Sequence, residues 1–204
     1  MHRISGIVLA AGGSTRMGRT KQLLQVRGAA LVCHAVRAAQ EGGCDCVCVV
    51  TGHAQEEVQR AVSPLEPLLV YNEHWERGMG TSIRLGLRTI QPASAIILLT
   101  CDQPAVTSSI VRSLIETHLQ TMLPIVASRY ADTLGIPALF AASCFAELNA
   151  LPDEHGAKTL IHGDPTRVAS IDFPAGALDL DTPQDMKAWQ ASADPVGQAA
   201  SMVQ

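Results

Sequence analysis

The sequence predicts a three-layer α/β fold, and three features point to it. Short aliphatic runs alternate with segments of helical period along most of the chain. That order builds a sheet with right-handed crossovers, covered by helices. Aromatic residues make up only 3% of a chain that is 47% apolar. The core must therefore rest on Leu, Ile, Val and Ala, which suits strands buried on both faces. Glycine-rich or acidic turns follow the strands ending at Leu9, Thr51 and Thr100. In such sheets ligands sit at the carboxyl ends of the strands.

Taken in order, residues 4–9 form the first strand, and a glycine-rich loop follows it directly. Residues 23–26 are a short extended piece closed by Arg27-Gly28. Residues 29–40 carry Leu31, Val32, Ala35, Val36 and Ala39 at helical spacing, and Gly42-Gly43 ends that helix. Residues 46–51 are a second strand, 54–62 a helix stopped by Ser63-Pro64, and 67–71 a third strand. Gly78-Met79-Gly80-Thr81-Ser82 reads as a second small-residue loop, continued as a helix through Ile83, Leu85, Leu87 and Ile90. Gly86 is the weak point of that helix.

Residues 95–100 are a continuous aliphatic strand ending at Cys101-Asp102-Gln103-Pro104. A helix over 107–121 follows, capped by Thr107 or Ser108, then a strand over 125–128 and a further one over 137–140. Residues 141–150 and 157–162 are short helices, and 168–171 is extended. Thr182 and Pro183 fit the cap and first position of a last helix running through Trp189.

A net charge of −4 and a pI near 5.9 argue against nucleic acid as a partner. A local cationic loop still permits a small phosphate ligand. No apolar run reaches the roughly 20 residues of a membrane helix. The first residues lack the basic and apolar regions of a signal peptide. The expectation is a cytoplasmic protein whose six cysteines are reduced thiols. Cys44, Cys46 and Cys48 alternate along a strand and read as buried cysteines of one face rather than as a metal site.

The chemistry concentrates in Leu9-Ala10-Ala11-Gly12-Gly13-Ser14-Thr15-Arg16-Met17-Gly18-Arg19-Thr20-Lys21. Glycines let backbone N–H groups turn onto an anion, and Arg and Lys add full charges to the same oxygens. Gly13 and Gly18-Arg19-Thr20 nearly satisfy the G-x-x-x-x-G-K-[ST] loop of NTPases, but Arg19 stands in the lysine position and Lys21 comes two residues late. Gly12-Gly13 and Gly18 also miss the G-x-G-x-x-G spacing of a dinucleotide fold.

The pattern Leu-Ala-Ala-Gly-x-Ser-x-Arg-Met-Gly-x-x-Lys instead resembles the signature of nucleotidyltransferases that activate a phosphate with an NTP. Within the MobA-like superfamily, the chain is similar to the molybdenum cofactor cytidylyltransferases, which carry two alanines before the glycine. Related guanylyltransferases carry Leu-Ala-Gly-Gly, from which Ala11 departs. Further matching blocks are Val50-Thr51-Gly52-His53, Asn72-x-x-Trp75-x-x-Gly78-Met79-x-Thr81-Ser82-Ile83, Leu99 to Pro104, Gly135-x-Pro137 and Asp179-Leu180-Asp181-Thr182-Pro183. One block departs. The family's Gly-Asp-x-Gly-Ala-Arg/Lys stands here as Asp153-Glu154-His155-Gly156-Ala157-Lys158, so Asp153 replaces a glycine of the kind that can need φ > 0, on the acceptor side.

The resemblance implies a Rossmann-like α/β/α nucleotidyltransferase fold with a mostly parallel sheet. It implies one domain over residues 1–192, with a nucleotide-binding half to about 105, an acceptor-binding half beyond it, and a flexible tail over 193–204. The implied reaction moves CMP from CTP to the phosphate of a molybdopterin-type cofactor, with Mg²⁺ or Mn²⁺, and serves a molybdenum hydroxylase. Leu9, Ala10, Ala11, Gly12, Gly13 and Ser14, with Gly52, would bind the nucleotide. Arg16 and Lys21 would neutralise phosphate charge. Asp102 and Asp181 would hold the metal, although each also has an ordinary turn or capping role. Gly80, Thr81 and Ser82 would read the base, or equally cap a helix. His53 and Met79 are ambiguous.

The rival readings are a guanylyltransferase, a cytidylyltransferase for a sugar phosphate or methylerythritol phosphate, and a non-catalytic carrier of the cofactor. No dedicated general base is required, because an attacking phosphate is already ionised.

Overall fold

The structure is a computed structural model that describes residues 3–14, 17–18 and 20–193. Strand β1 spans Ile4–Ala10, and a small hairpin of β2 (Gln25–Val26) and β3 (Ala29–Ala30) leads into α1 (Leu31–Glu41). There follow β4 (Cys46–Thr51), α2 (Gln55–Val62), β5 (Leu68–Tyr71), α3 (Met79–Thr89), β6 (Ala95–Thr100) and α4 (Ser108–Thr121). The remainder is β7 (Ile125–Tyr130), β8 (Thr133–Ala141), α5 (Phe145–Asn149), α6 (Lys158–Gly163), β9 (Val168–Asp172) and α7 (Pro183–Ala193).

Seven strands make one sheet in the order β5-β4-β1-β6-β8-β7-β9. All neighbours are parallel except β8, which runs antiparallel to both β6 and β7. The three-layer, mostly parallel α/β architecture is therefore the one expected. Period-two alternation sends successive strand residues to opposite layers. Val8, Val49, Ile97 and Leu99 pack with α1, α2 and α4, while Ile7, Cys48, Val50, Ile96 and Leu98 pack with α3, α5 and α6. Both faces are buried, which explains the unbroken aliphatic runs of β1, β4 and β6.

Several boundaries differ from the expectation, each for a local reason. The piece expected to be extended over 23–26 begins as a 3₁₀ turn, Lys21–Leu23, and Ala29 and Ala30 pair with it before α1 starts. Gly78–Ser82 is not a free loop. Gly78 caps α3, and Met79 to Ser82 are the first turn of that helix. Gly86 is explained by packing. A Cβ there would lie 2.7 Å from Ile7 Cγ2 and 3.0 Å from Val50 Cγ2, so the glycine lets α3 press onto the sheet. The strand expected over 137–140 extends over nine residues because it bridges β6 and β7.

Cys44 precedes β4 and packs against the α1 layer, whereas Cys48 points into the α3 layer, so the cysteines do not share one face. Burial pushes the Cys44 and Cys48 thiols each up to about 12. Among the described residues, no group of three or more His, Cys, Asp or Glu could hold a metal ion, and no helix is long and apolar enough to cross a membrane. The tail expected from residue 193 lies outside the described residues beyond the end of α7.

A third, smaller core matters most for the site. Met17, Leu24, Val26 and Leu31 meet Leu180 and Met186. It seats the loop after β1 against the segment before α7. Full burial of Leu180 contributes about 2 kcal/mol to that union.

Candidate active site

β1, β4 and β6 end level with one another, Leu9 standing opposite Val50 on one side and Thr100 on the other. Their carboxyl ends thus deliver the glycine loop, Gly52 and Asp102 to one edge of the sheet. A side chain holds the loop from inside. Gln22, 2% exposed, donates from Nε2 to the Ala10 carbonyl at 3.1 Å and the Gly12 carbonyl at 2.6 Å. Ser14 Oγ donates to Gln22 Oε1 at 3.1 Å and accepts from the Lys21 N–H at 3.0 Å. These bonds hold Ser14 at φ 53°, a left-handed conformation that a non-glycine residue adopts only when its surroundings impose it. Arg16, together with Thr15 and Arg19, lies outside the described residues.

Lys21 is the centre of the site. Its Nζ donates to Asp102 Oδ2 at 2.7 Å and to Asp181 Oδ1 at 3.0 Å. The three charged groups come from distant parts of the chain, and the backbone brings the acids together: the Leu180 N–H donates to the Asp102 carbonyl at 2.8 Å. Burial alone would lower the Lys21 pKa. The charges and hydrogen bonds of Asp102 and Asp181 outweigh that cost and hold it above the ordinary 10.5. The side chain is thus an ammonium at all physiological pH.

Nearby Asp179 shows the opposite imbalance. Burial, then repulsion from Asp102 and Asp181, pushes its carboxyl up to about 6. Acids outnumber cations here. The two carboxylates that converge on the Lys21 ammonium are hard oxygen donors of the kind a divalent cation takes. Asp102 and Asp181 are the residues that would hold it, with water and phosphate oxygens completing the shell.

A cleft of about 320 Å³ opens above the loop, lined by Leu9, Ala11, Gly12, Gly13, Lys21 and Asp102 on one side and by Trp75, Gly78, Met79 and Ser82 on the other. The expected nucleotide-loop residues Leu9, Ala11, Gly12 and Gly13 therefore share one wall. Trp75, which no role was expected of, forms the facing wall. A Cβ on Gly13 would sit 3.1 Å from its ring, and a Cβ on Gly52 would sit 2.7 Å from both Trp75 and the Ala11 carbonyl. Gly52 does not face the cleft. It permits the close approach of Trp75 to the loop. His53, exposed, packs its ring 5.6 Å from that of Trp75.

The expected base-reading residues divide. Ser82 lines the cleft, whereas Gly80 and Thr81 do not. Thr81 Oγ1 donates to the Gly78 carbonyl at 2.7 Å, and buried Asn72 donates from Nδ2 to both Thr81 Oγ1 (2.8 Å) and Ser82 Oγ (2.9 Å). The Thr81 hydroxyl is thus committed to the helix start. Gly80 packs face-on against the chain after α5: a Cβ there would lie 2.2 Å from the Pro152 carbonyl.

A second cavity of about 320 Å³ adjoins the first and shares Met79, Thr100 and Asp102 with it. Its other walls include Gln103, Tyr130, Ile136, Glu154, Lys158 and Asp179. Asp153, where a glycine was expected, has no left-handed φ. Its carboxylate instead pairs with Arg84 and, at 2.5 Å, with Arg77, while its carbonyl accepts from the Gly80 N–H at 2.8 Å. The hydrogen bond from Arg84, then the charges of Arg77 and Arg84, hold the Asp153 carboxyl below its ordinary value. This clamp ties the floor of the second cavity to the start of α3. Neither Gln22 nor Asp153 carried a functional signal that spacing could reveal, because each acts on a backbone or a side chain distant in sequence.

Comparison with known proteins places the chain in a family. The model of the MobA-like NTP transferase domain matches residues 6–169. Nicotine blue oxidoreductase of Paenarthrobacter nicotinovorans is 30% identical over 193 residues, 90% of this chain and 94% of that one. The crystal structure of Rv0371c from Mycobacterium tuberculosis superposes with a TM-score of 0.80 at 32% identity, over 92% of this chain and 96% of that one. A manganese complex of the same mycobacterial protein superposes at 0.78 and 30% identity, over 93% of this chain and 99% of that one. With that model spanning most of the chain and the fold shared with these structures, the chain belongs to the MobA-like NTP transferase family and is a nucleotidyltransferase.

Proposed function

We propose that the enzyme moves CMP from CTP to the phosphate of a molybdopterin-type molybdenum cofactor and releases pyrophosphate. The observation that carries this reading is the position of the Lys21, Asp102 and Asp181 cluster. It lies where the loop-lined cleft meets the second cavity, and Asp102 borders both. A nucleotide in the first and an acceptor phosphate in the second would bring the α-phosphate and its attacking oxygen together beside that cluster.

Joining two anions is mainly a problem of charge and position. Gln22 occupies the Ala10 and Gly12 carbonyls from within. The loop can then offer N–H groups outward to the triphosphate. Lys21 and Arg16 would take charge from the α-phosphate and the departing pyrophosphate. Asp102 and Asp181 would hold a divalent cation, which supplies further charge neutralisation when bound. Trp75 offers a flat apolar wall for a base, and Ser82 a hydroxyl for its polar edge. Ala11 lines that cleft where the guanylyltransferase pattern has a glycine, and the extra carbon would favour the smaller pyrimidine. The first cleft draws on residues up to Asp102 and the second mostly on residues beyond it, in keeping with a nucleotide half and an acceptor half.

Incubation with each NTP, Mg²⁺ or Mn²⁺ and the molybdenum cofactor tests the reading. Pyrophosphate release and a CMP-linked product with CTP alone are expected. Release with GTP alone would transfer the reading to a guanylyltransferase, and nucleotide binding without release would favour the carrier. The similarity to an oxidoreductase supplies one further control: oxidation of NADH or NADPH in place of pyrophosphate release would overturn the proposal.

A further inference from the structure

The turn before α7 is tied down more firmly than a helix start requires. Thr182 stands just before the first residue of α7, and Asp185 lies in its first turn. The Asp185 N–H donates to Thr182 Oγ1 at 3.3 Å, while the Thr182 N–H and hydroxyl donate to Asp185 Oδ2 at 2.7 and 2.8 Å. That much is a reciprocal capping box, which satisfies donors the helix itself leaves open. The same carboxylate oxygen reaches one residue further back and accepts the Asp181 N–H at 3.1 Å. Residue 181 lies outside the helix, so this last bond serves no helical donor.

Its consequence falls on the Asp181 carboxylate. That side chain is 39% exposed, so close packing does not set its place. The backbone beneath it does, through three successive N–H groups: Leu180 donates to the Asp102 carbonyl at 2.8 Å, and Asp181 and Thr182 donate to Asp185. Buried Leu180 anchors one side of Asp181 in the third core, and Asp185 anchors the other. Held between them, Asp181 Oδ1 meets Lys21 Nζ at 3.0 Å, on the same ammonium that Asp102 meets at 2.7 Å. Asp185 lines neither cavity. What it does to the site it does through Asp181.

We propose that Asp185 is a positioning residue for the cation site: by accepting the Asp181 and Thr182 N–H groups, it holds the Asp181 carboxylate in register with Asp102. This rests on Asp102 and Asp181 being the residues that would hold a divalent cation, as in the transfer reading above. Groups that orient a ligand from behind change metal affinity by about 10- to 100-fold when they are removed. Loss of one cap is small beside the stability of a domain, so the variants below should fold.

The test titrates the full chain with Mn²⁺ alone and follows the paramagnetic resonance signal of the free ion. Asp181→Ala sets the loss due to that carboxylate. Asp185→Ala should weaken Mn²⁺ binding about tenfold or more. In the Asp181→Ala background the same change should add less than about twofold, because its effect passes through a side chain no longer there. Asp185→Asn keeps a neutral oxygen for the same donors and should stay within about threefold of wild type. Thr182→Val removes the hydroxyl from the cap but keeps the Asp181 bond. It should lower Tm and leave Mn²⁺ affinity nearly unchanged, which separates a frayed helix from a displaced carboxylate. Additive losses from Asp181→Ala and Asp185→Ala, an Asn variant as weak as the Ala variant, or an equal loss in Thr182→Val would each overturn the proposal. If Asp181→Ala weakens Mn²⁺ binding and Asp185→Ala does not, only this inference falls. If Mn²⁺ binding is absent or indifferent to Asp181→Ala, the metal assignment falls and takes the inference with it.

Discussion

The two cavities that meet at Asp102 are built by different means. The first is walled by backbone: Ala11, Gly12 and Gly13 approach as main chain, held by one buried glutamine, with a tryptophan opposite. The second is walled mostly by side chains from Thr100 to Asp179, including an amide, a phenol, a lysine and three acids. Backbone N–H groups recognise phosphate whatever it is attached to, so the first cavity suits a substrate part common to all NTPs. Side chains in a fixed array discriminate, so the second suits one particular acceptor. The cluster of Lys21 with Asp102 and Asp181 belongs to neither alone, since it stands on their boundary.

Substitutions that break the boundary should have the largest effect. Asp102→Asn should lower kcat by about 10³-fold, as expected for loss of a charge-stabilising group, with the fold unchanged by circular dichroism. Wild-type turnover in that variant would remove Asp102 from the site. Lys21→Met should lower transfer by about 10²-fold. It should also tighten Mn²⁺ binding measured without nucleotide by about tenfold, because the ammonium that satisfies both carboxylates is gone. Unchanged or weaker Mn²⁺ binding would show that the two acids are not the cation's ligands.

The first cavity alone should fail when its internal staple is removed. Gln22→Leu leaves the Ala10 and Gly12 carbonyls without their donor and should cost about 2–4 kcal/mol in urea unfolding. The Kd for CTP should rise with it.

The smallest effect belongs to the clamp beneath the second cavity. Asp153→Asn should speed hydrogen exchange over residues 152–158 and raise the acceptor KM several-fold, with the CTP KM nearly constant. Because the Asp153 carboxyl is held below its ordinary 3.8, its stabilisation is full above that pH and is lost as pH falls through the lower folded value. Wild type and Asp153→Asn should therefore differ in stability at pH 7 and converge in strong acid. A constant difference across that range would deny the ion pairs any part in it.

The same contrast accounts for what could be read in advance. β1, β4, β6 and the glycine loop were legible because each is a local pattern: an aliphatic run, then small residues and cations. The meeting of Lys21 with Asp102 and Asp181, separated by 81 and 160 residues, was accessible only through family resemblance. The start of α3 reads in the sequence as a loop because Gly78 and Gly80 look like turn residues. Gly78 instead caps that helix and Gly80 packs against Pro152, while Gly86, the weak point of the helix in sequence, packs against Ile7. Gln22 and Trp75 have no legible role in the sequence because their partners are carbonyls and glycine faces, neither of which leaves a spacing there. Asp153 was expected to strain a glycine position, and the structure shows an extra ion-pair clamp instead.

The most direct test of the account is the nucleotide dependence of pyrophosphate release. Wild-type protein, Mn²⁺ and molybdenum cofactor should release pyrophosphate with CTP and not with GTP, ATP or UTP, and Asp102→Asn should abolish the signal. Release that survives Asp102→Asn, or that follows GTP in place of CTP, would contradict the site or the base assigned to it.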